Sequence, residues 1–362
     1  MLVFAAVFAV AVLTASFAEH SWSRRVATTG SWEEPFPRGW SFGSFVVVAV
    51  LAGVAALRWR VGTDYTTYHR LFPSYVEEAK QGFDIFEEPG LRVIAWISNE
   101  INGDSAMMFA VAAIITIGLS VRTIWRWSPA FAFSIAAFIL SGAWHGTFNG
   151  VRQFLACAIL FAGHRYIIDR RFGKWLLVVF AAMLFHISAM VALFLYLVPT
   201  KRTSFVIQGA VFALGLVVML SSDSVLEFLA IQTGDSELST GEYANLSVNP
   251  LRVAFAFVPI ALYWLLRNRE AIEQANLWFY VNMLAIYGAT FLASASSALL
   301  ARFAIFALPF VAIGLAAVTS VPDAREKMLS RGAVLVIFAV FLYIEISGIP
   351  NLRNFQWIVQ RP

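Results

Sequence analysis

The stretch WHGTFNGVRQFLACAILFAG (144–163) places an arginine and a glutamine at the start of an apolar segment. The segment that begins at Val151 is long enough to enter a bilayer, and Arg152 stands in its first turn. A charged side chain there is either an anchor at the membrane surface or a functional group at the mouth of a helix. The side of the membrane on which Arg152 lies follows from the rest of the chain.

The composition of the whole chain is that of a membrane protein. Of its 362 residues, 60% are hydrophobic and only 13% are charged. In a soluble domain about a quarter of the residues are charged, and there is less apolar surface to bury. The net charge of +4 does not indicate nucleic-acid binding, because basic residues in membrane proteins mostly mark cytoplasmic loops. The single cysteine, Cys157, excludes an intrachain disulfide.

Apolar segments of suitable length predict about ten membrane-spanning helices in one integral membrane domain, residues 1–362. The predicted spans are 2–18, 41–57, 105–121, 129–144, 151–168, 204–220, 253–266, 277–293, 303–320 and 332–347. We interpret the first as a span, because no basic residue precedes its apolar core, and a signal peptide cleaved after Ala18 is the alternative. The predicted fold is therefore an all-α polytopic membrane protein.

One more apolar segment, 175–199, predicts a re-entrant hairpin around His186. The loops on both sides of it, DRRFGK (169–174) and TKRT (200–203), are basic and typical of the cytoplasmic side. The segment should therefore enter and leave the membrane on one side, with legs of about 12 residues. The acidic loop 221–251 then faces outward, and so do both termini.

The segment 58–104 is also predicted to face outward and to contain an interfacial helix. After Glu88, apolar residues recur with the spacing of an amphipathic helix at the membrane surface. Before it, the cluster GTDYTTY (62–68) combines a carboxylate with tyrosines, which suits either a capped turn with interfacial rings or a site for sugar hydroxyls.

Several arginines break the charge rule because they lie on the predicted outer side. Arg152, Arg252 and Arg302 stand at the outer ends of three helices, and Arg58 and Arg60 follow the second span. Each could anchor a helix end in the headgroups. Together they could bind phosphate through bidentate hydrogen bonds. The sequence contains neither a glycine-rich nucleotide loop nor a metal-ligand motif, so we expect no cofactor and no metal.

Four stretches, taken together, resemble the EpsG-type branch of the Wzy-like exopolysaccharide polymerases. They are VGTDYTTYHRLF (61–72), FNGVRQFLACAILFAGHRYIIDRRFGKW (148–175), LFHISAM (184–190) and ARFAIFALPF (301–310). The resemblance implies a glycosyltransferase of the bacterial inner membrane whose site faces the periplasm or exterior. It would polymerise oligosaccharide repeat units for exopolysaccharide or capsule, with the units carried on polyprenyl diphosphate, such as undecaprenyl diphosphate, as donor and acceptor.

The resemblance and the chemistry of the side chains select the candidate residues. The predicted catalytic residues are Asp64, Arg152, His186 and Arg302. The predicted substrate-binding residues are Arg58, Arg60, Tyr65, Tyr68, Glu88, Asn149, Gln153 and Arg252. Arg152, Arg252 and Arg302 would stabilise the negative charge of the leaving diphosphate. Asp64, His186 or Glu88 would accept the proton of the acceptor hydroxyl, and the sequence does not decide between these three.

Two other functions fit the same features. A transporter of polysaccharide or lipid-linked oligosaccharide would also have many spans and a charged cavity, although it should show internal repeats. A membrane O-acyltransferase acting on glycans would use His186 as its base. Expected partners are the lipid-linked oligosaccharide, the bilayer and chain-length regulator or export proteins, with no nucleic acid among them.

Overall fold

A computed structural model describes residues 1–29, 38–82, 84, 87–233, 246–266 and 268–361. Within these ranges the regular structure is helical, apart from one antiparallel bridge between Arg58 and Trp357. The predicted all-α class of a polytopic membrane protein is confirmed. Residues 234–245 of the predicted acidic loop lie outside the described part of the chain. The chain divides into two units, Met1–Tyr196 with Leu329–Pro362, and Leu197–Met328.

In the described residues up to the end of the hairpin there are ten α-helices and one 3-10 helix. They are α1 (Leu2–Thr29), α2 (Phe42–Ala56), α3 (Tyr65–Gln81), α4 (Pro89–Asn102), α5 (Ser105–Trp127), α6 (Phe131–Leu140), α7 (Ala143–Gly146), α8 (Val151–Gly163), α9 (Arg165–Ile168), α10 (Phe172–Met183) and the 3-10 helix Ile187–Leu197. The helix α5 packs against α2, α4 and α8, so it lies at the centre of this unit.

The second unit is built around one buried helix that packs on three of its neighbours. Its helices are α11 (Phe205–Leu220), α12 (Ser222–Thr233), α13 (Pro250–Leu266), α14 (Arg269–Gln274), α15 (Trp278–Ala293), α16 (Ala298–Ala304) and α17 (Leu308–Val318). The buried helix α15 contacts α11, α13 and α17. Then α18 (Ala324–Gly348) leads back to the first unit, which ends with α19 (Pro350–Arg353) and a short 3-10 helix, Ile358–Gln360.

Each predicted span corresponds to a helix in the structure, but many of these helices are short. In the described part of the chain, three helices are long and apolar enough to cross a membrane: Leu2–Arg24, Ser105–Trp127 and Ala324–Gly348. Two bent helix pairs, α11 with α12 and α16 with α17, would raise that number to at most five if each pair forms one span. The other apolar helices have 10–17 residues. The number of about ten crossings therefore stays a prediction.

The segment 175–199 folds back on itself. Helix α10 ends at Met183, and the 3-10 helix begins directly after His186. The ring of Phe172 packs edge-to-face on the ring of Tyr196 with 5.0 Å between centroids, so the two ends of the segment meet. Arg170 Nη1 also donates a hydrogen bond to the carbonyl oxygen of Tyr196 at 2.6 Å. The predicted hairpin with its turn at His186 is confirmed.

The segment 58–104 contains two amphipathic helices where the sequence indicated one. Helix α4 is the predicted interfacial helix; it buries Leu91 and Ile94 and exposes Trp96 and Ile97. Helix α3 follows the GTDYTTY cluster and packs against α4. The sequence pattern missed α3 because Pro73 stands inside it.

Both ends of the chain lie beside this segment in the first unit. The Trp59 N–H donates to the carbonyl oxygen of Gln356 at 2.8 Å, which extends the bridge formed by the C-terminal tail. The amino group of Met1 lies 3.5 Å from the carbonyl oxygen of Arg353. The two termini and the residues that follow α2 are therefore on one side of the unit, and their outward orientation stays a prediction.

The hairpin predicts which positions share a side of the membrane. In a Cys157→Ala background, Thr66→Cys should react with an impermeant maleimide in spheroplasts, because the segment 58–104 is predicted to face outward. Gly173→Cys and Arg202→Cys should react only after the membrane is permeabilised, because the hairpin returns to the side from which it entered. The cysteine-free protein is the control. Labelling of Gly173→Cys and Arg202→Cys from opposite sides would contradict the hairpin topology.

Candidate functional site

Glu88 is the residue on which the candidate site is built. It stands immediately before α4 in a left-handed backbone conformation, with φ 56° and ψ 57°. A residue other than glycine adopts this conformation only when its surroundings hold it there, and such residues concentrate at functional sites. Its side chain is only 12% exposed, so its carboxylate must find hydrogen-bond donors inside the protein.

Two other segments of the chain supply those donors. Arg152, in the first turn of α8, donates from Nη1 to Glu88 Oε2 at 2.6 Å. His186 Nδ1 lies 2.8 Å from Glu88 Oε1, and the backbone N–H of Ile187 donates to the same oxygen at 2.7 Å. The Glu88 carboxylate therefore joins α4, α8 and the tip of the hairpin at one point.

These donors keep Glu88 ionised. Burial raises the pKa of its carboxyl, but the hydrogen bonds from His186 and Ile187 and the charge of Arg152 together outweigh burial. The pKa of Glu88 therefore lies below its usual value of 4.5. A carboxylate held in this way binds a proton poorly near neutral pH, and this favours Glu88 as a partner of the base over Glu88 as the base itself.

Glu88 also determines which nitrogen of His186 carries the proton. An ionised carboxylate only accepts hydrogen bonds, so we assign the proton to Nδ1, and Nε2 then has the free lone pair. In the described part of the chain, the bond from Nδ1 is the only hydrogen bond of this ring. The His186 side chain is 20% exposed, so Nε2 can meet a substrate hydroxyl.

Close packing holds the hairpin tip against the start of α4. The Gly90 N–H donates to the carbonyl oxygen of Leu184 at 2.7 Å. A Cβ atom at Gly90 would lie 2.5 Å from the ring of Phe185, so a larger residue there would force the two segments apart. This contact brings His186 within hydrogen-bond distance of Glu88, and nothing in the sequence pattern indicated it.

The two most specific motifs of the sequence meet in a clasp formed by residues 62–64 and 148–150. Asn149 Oδ1 accepts a hydrogen bond from the Thr63 N–H at 2.7 Å. The Thr63 hydroxyl lies within hydrogen-bond distance of two oxygens, Asp64 Oδ1 at 3.0 Å and Asn149 Oδ1 at 3.3 Å. Motifs that are 86 residues apart in the sequence therefore form one local structure.

Asp64 closes the clasp on its other side. Its Oδ2 accepts a hydrogen bond from the Gly150 N–H at 2.9 Å, and Gly150 is the residue directly before α8. Gly62 has φ 101°, and a Cβ atom there would lie 2.5 Å from the carbonyl oxygen of Phe148. Glycine is therefore required at position 62 both for its backbone conformation and for the close approach of the two turns.

Arg58 and Tyr65 are buried beneath the clasp. The Arg58 guanidinium lies 5.1 Å from the ring centroid of Phe109 and 5.2 Å from that of Phe148, and the residue is 2% exposed. Tyr65 stacks on Phe109 with 4.3 Å between ring centroids. Such contacts stabilise packing. Their predicted contact with substrate stays a prediction, and their burial favours a structural role.

The remaining candidates of the first unit lie in different surroundings. Burial raises the pKa of the buried Tyr68 phenol, while the charge of the neighbouring Arg152 and a hydrogen bond with it oppose that rise. Gln153 is buried on α8, next to Arg152 in the sequence. Arg60 is exposed, and its guanidinium lies over the ring of Trp59 at 5.5 Å.

Arg252 and Arg302 belong to the second unit. Arg252 lies in the first turn of α13, Arg302 lies on α16, and both side chains are exposed. Their predicted contact with a diphosphate stays a prediction. Among the described residues there is no cluster of three or more histidine, cysteine or acidic side chains that could bind a metal ion.

The fold and the site define a polytopic membrane protein in which a carboxylate joins an arginine and a histidine at the tip of a hairpin. More specifically, the chain belongs to the EpsG family, whose family model matches residues 43–359. The matched range contains Glu88, Arg152, His186 and the clasp. The family relates the chain to exopolysaccharide synthesis. No curated protein and no solved structure matches the chain.

Replacing Glu88 by Gln should remove part of the pH dependence of stability. Because the pKa of Glu88 is lowered in the folded protein, its carboxylate stabilises the fold above about pH 4.5. That contribution is lost as the pH falls through the folded-state pKa. Thermal unfolding in detergent from about pH 6 to about pH 3.5 should therefore show a smaller loss for Glu88→Gln than for the wild type.

The exposed Glu77 offers a control for this experiment, because among the described residues its carboxylate accepts a hydrogen bond from Gln81 alone. Glu77→Gln should follow the wild type over the whole pH range. A Glu88→Gln protein that loses stability as steeply as the wild type would contradict the role of the ionised carboxylate.

Gly62→Ala should destabilise the protein more than Gly82→Ala. Both glycines have positive φ, 101° and 128°, so both substitutions strain the backbone, by about 1–3 kcal/mol. The Cβ atom at position 62 would meet a carbonyl oxygen, whereas no atom of the described residues lies within 4 Å of the corresponding atom at position 82. Thermal unfolding of the two variants in the same detergent measures the difference, and equal losses would contradict the close approach in the clasp.

Proposed function

We propose that this protein polymerises oligosaccharide repeat units carried on polyprenyl diphosphate. It would act as a glycosyltransferase of the bacterial inner membrane, on the side that carries residues 58–104. The observation that carries the proposal is that the Glu88 carboxylate holds a cation, Arg152, and a basic ring, His186, in one site. Membership of the EpsG family supports a polymer of the exopolysaccharide type.

The proposed reaction requires a base and a site for negative charge. A hydroxyl group of the acceptor sugar attacks the anomeric carbon of the donor and forms the new glycosidic bond. The bond between that carbon and the diphosphate oxygen breaks, and the lipid diphosphate leaves with the electron pair. The attacking hydroxyl gives up its proton to the base. Both charges, on the leaving group and on the protonated base, need groups that are already in position.

His186 is our proposed base. Its Nε2 would take the proton of the acceptor hydroxyl, and the resulting imidazolium would keep its Nδ1–H bond to Glu88, at the 2.8 Å distance now present. A carboxylate on Nδ1 both orients the ring and stabilises its protonated form. This assignment gives Glu88 the role of a positioning residue, since its oxygens are already bound to other groups.

Arg152 is our proposed group for the diphosphate. It lies in the first turn of α8, where the dipole of the helix is positive and favours an anion. Glu88 holds one nitrogen of the guanidinium, while the side chain as a whole remains 36% exposed, so a phosphate oxygen can reach it. We extend the proposal to Arg302, and with it Arg252, on their chemistry and on the resemblance of the sequence motifs.

The test is synthesis by the purified protein from lipid-linked repeat units, with the products separated on a gel. Wild-type protein should give a ladder with one-repeat spacing. Arg152→Lys keeps the charge but loses the planar fork, and we expect it to lose about 10²-fold in rate, as when one preorganised donor is removed. Unchanged lipid-linked units that are merely moved across the membrane, or acylated units, would instead support a transporter or an O-acyltransferase.

Arg92→Lys is the matched control for the Arg152 experiment. Arg92 is also partly buried and also pairs with glutamates, Glu78 at 2.8 Å and Glu87 at 2.9 Å, but it forms no hydrogen bond or ion pair with Glu88 or His186. The Arg92→Lys variant should keep near-normal polymerising activity. If Arg152→Lys is well folded and polymerises as fast as Arg92→Lys, Arg152 does not bind the diphosphate through its fork.

His186→Asn tests the base. The asparagine amide can take over the hydrogen bond from Nδ1 to Glu88, so the site should stay assembled, while the basic nitrogen Nε2 is lost. We expect turnover at saturating substrate to fall by about 10²–10⁴-fold, with little change in the half-saturating concentration. A variant with a normal maximal rate would show that His186 is not the base.

A further inference from the structure

We infer that Asp64 and Asn149 are positioning residues that hold Arg152 in place through the clasp, and that Asp64 is not the base. The reaction used to read out this inference rests on the function proposed above. The contacts that support it are separate from those of Glu88 and His186, because they lie at the backbone of α8 and not at the Arg152 guanidinium.

Both oxygens of the Asp64 carboxylate are already engaged. Oδ1 accepts from the Thr63 hydroxyl at 3.0 Å, and Oδ2 accepts from the Gly150 N–H at 2.9 Å. A general base needs an oxygen within hydrogen-bond reach of the substrate hydroxyl. Here the two oxygens point at the protein's own turns, so the carboxylate serves the clasp.

The clasp acts on the position of Arg152 through the start of α8. Gly150 is the N-cap residue of this helix and has no side chain with which to cap it. Asp64, from another part of the chain, accepts a hydrogen bond from the N–H of Gly150 itself, one of the N–H groups at a helix start that have no partner within the helix. Arg152 follows Gly150 by two residues in a regular helix, so fixing Gly150 also fixes the backbone of Arg152.

A second contact fixes the direction in which α8 leaves the clasp. Asn149, the residue before Gly150, accepts a hydrogen bond at its Oδ1 from the Thr63 N–H at 2.7 Å. Two neighbouring residues of one turn are thus bonded to two neighbouring residues of the other. One bond would leave the turns free to pivot, whereas the pair determines both the position and the orientation of the helix start.

An electrostatic effect also favours a carboxylate in the clasp. The positive charge of Arg152 is unfavourable at the N-terminus of a helix, where the dipole is also positive. Two carboxylates compensate for it, Glu88 at the guanidinium and Asp64 at the backbone N–H of Gly150. Asp64 therefore offsets the cost of placing an arginine at a helix start, where the leaving diphosphate would need it. It does so without contacting the substrate.

Comparison of Asp64→Asn with Asp64→Ala tests the inference. The asparagine oxygen can still accept from the Gly150 N–H, and its amide can donate to the Thr63 hydroxyl, so the clasp survives. We expect Asp64→Asn to polymerise within about tenfold of the wild type and Asp64→Ala to lose about 10²-fold in kcat, the effect of a small misplacement of a catalytic group. The limbs of the pH–rate profile should be the same in the wild type and in Asp64→Asn.

If Asp64 is the base, Asp64→Asn and Asp64→Ala should be equally inactive, by about 10²–10⁴-fold, while both remain folded. That result would overturn the inference. The loss of one limb of the pH–rate profile in Asp64→Asn would also overturn it, because a positioning carboxylate neither takes up nor releases a proton in the reaction.

A binding measurement separates this inference from the proposed function. Inorganic pyrophosphate is the probe, and its affinity for the purified protein is measured by calorimetry. The wild type and Asp64→Asn should bind it alike, and Asp64→Ala and Asn149→Ala should bind it at least about tenfold more weakly, because Arg152 is displaced. This holds even if the wild type makes no polymer. Equal affinity in all four proteins would overturn the inference whatever the enzyme activity is.

Discussion

A single, largely buried carboxylate holds the candidate site together. Glu88 binds the guanidinium of Arg152, the ring of His186 and the backbone N–H of Ile187. Arg152 lies at the start of α8, and the other two lie at the tip of the hairpin. Burying an ionised carboxylate without partners costs several kcal/mol, so the fold requires all three donors to be present at once. The same requirement fixes where a cation and a basic nitrogen stand relative to each other.

The start of α8 is held from two directions, and this explains why small residues recur around it. Glu88 binds the side chain of Arg152, while the clasp binds the backbone two residues earlier. Two glycines make these approaches possible, Gly62 at the clasp and Gly90 at the hairpin tip, since a Cβ atom at either would meet its neighbour at 2.5 Å. Side-chain hydrogen bonds and close backbone packing therefore both fix the position of Arg152.

The sequence predicted the parts of this site but not how they are connected. Charge in the loops was enough to predict the hairpin and to place His186 at its tip, because the positive-inside rule relates distant loops to one membrane. Glu88 was only a secondary candidate, since its partners are 64 and 98 residues away and no local pattern reports such contacts. The clasp was missed for the same reason. The helix lengths differ from the predicted spans because breaks such as Gly142, with φ 91°, interrupt apolar segments that hydropathy alone joins together.

Glu88 and Arg152 are proposed to act as one unit, and a double-mutant cycle in polymer synthesis tests this most directly. The rates of wild-type protein, Glu88→Ala, Arg152→Ala and the double variant are compared at equal amounts of folded protein. Residues in contact that serve one function are non-additive. The account predicts that each single substitution lowers the rate strongly and that the second adds little to the first. Losses that multiply in the double variant would contradict it.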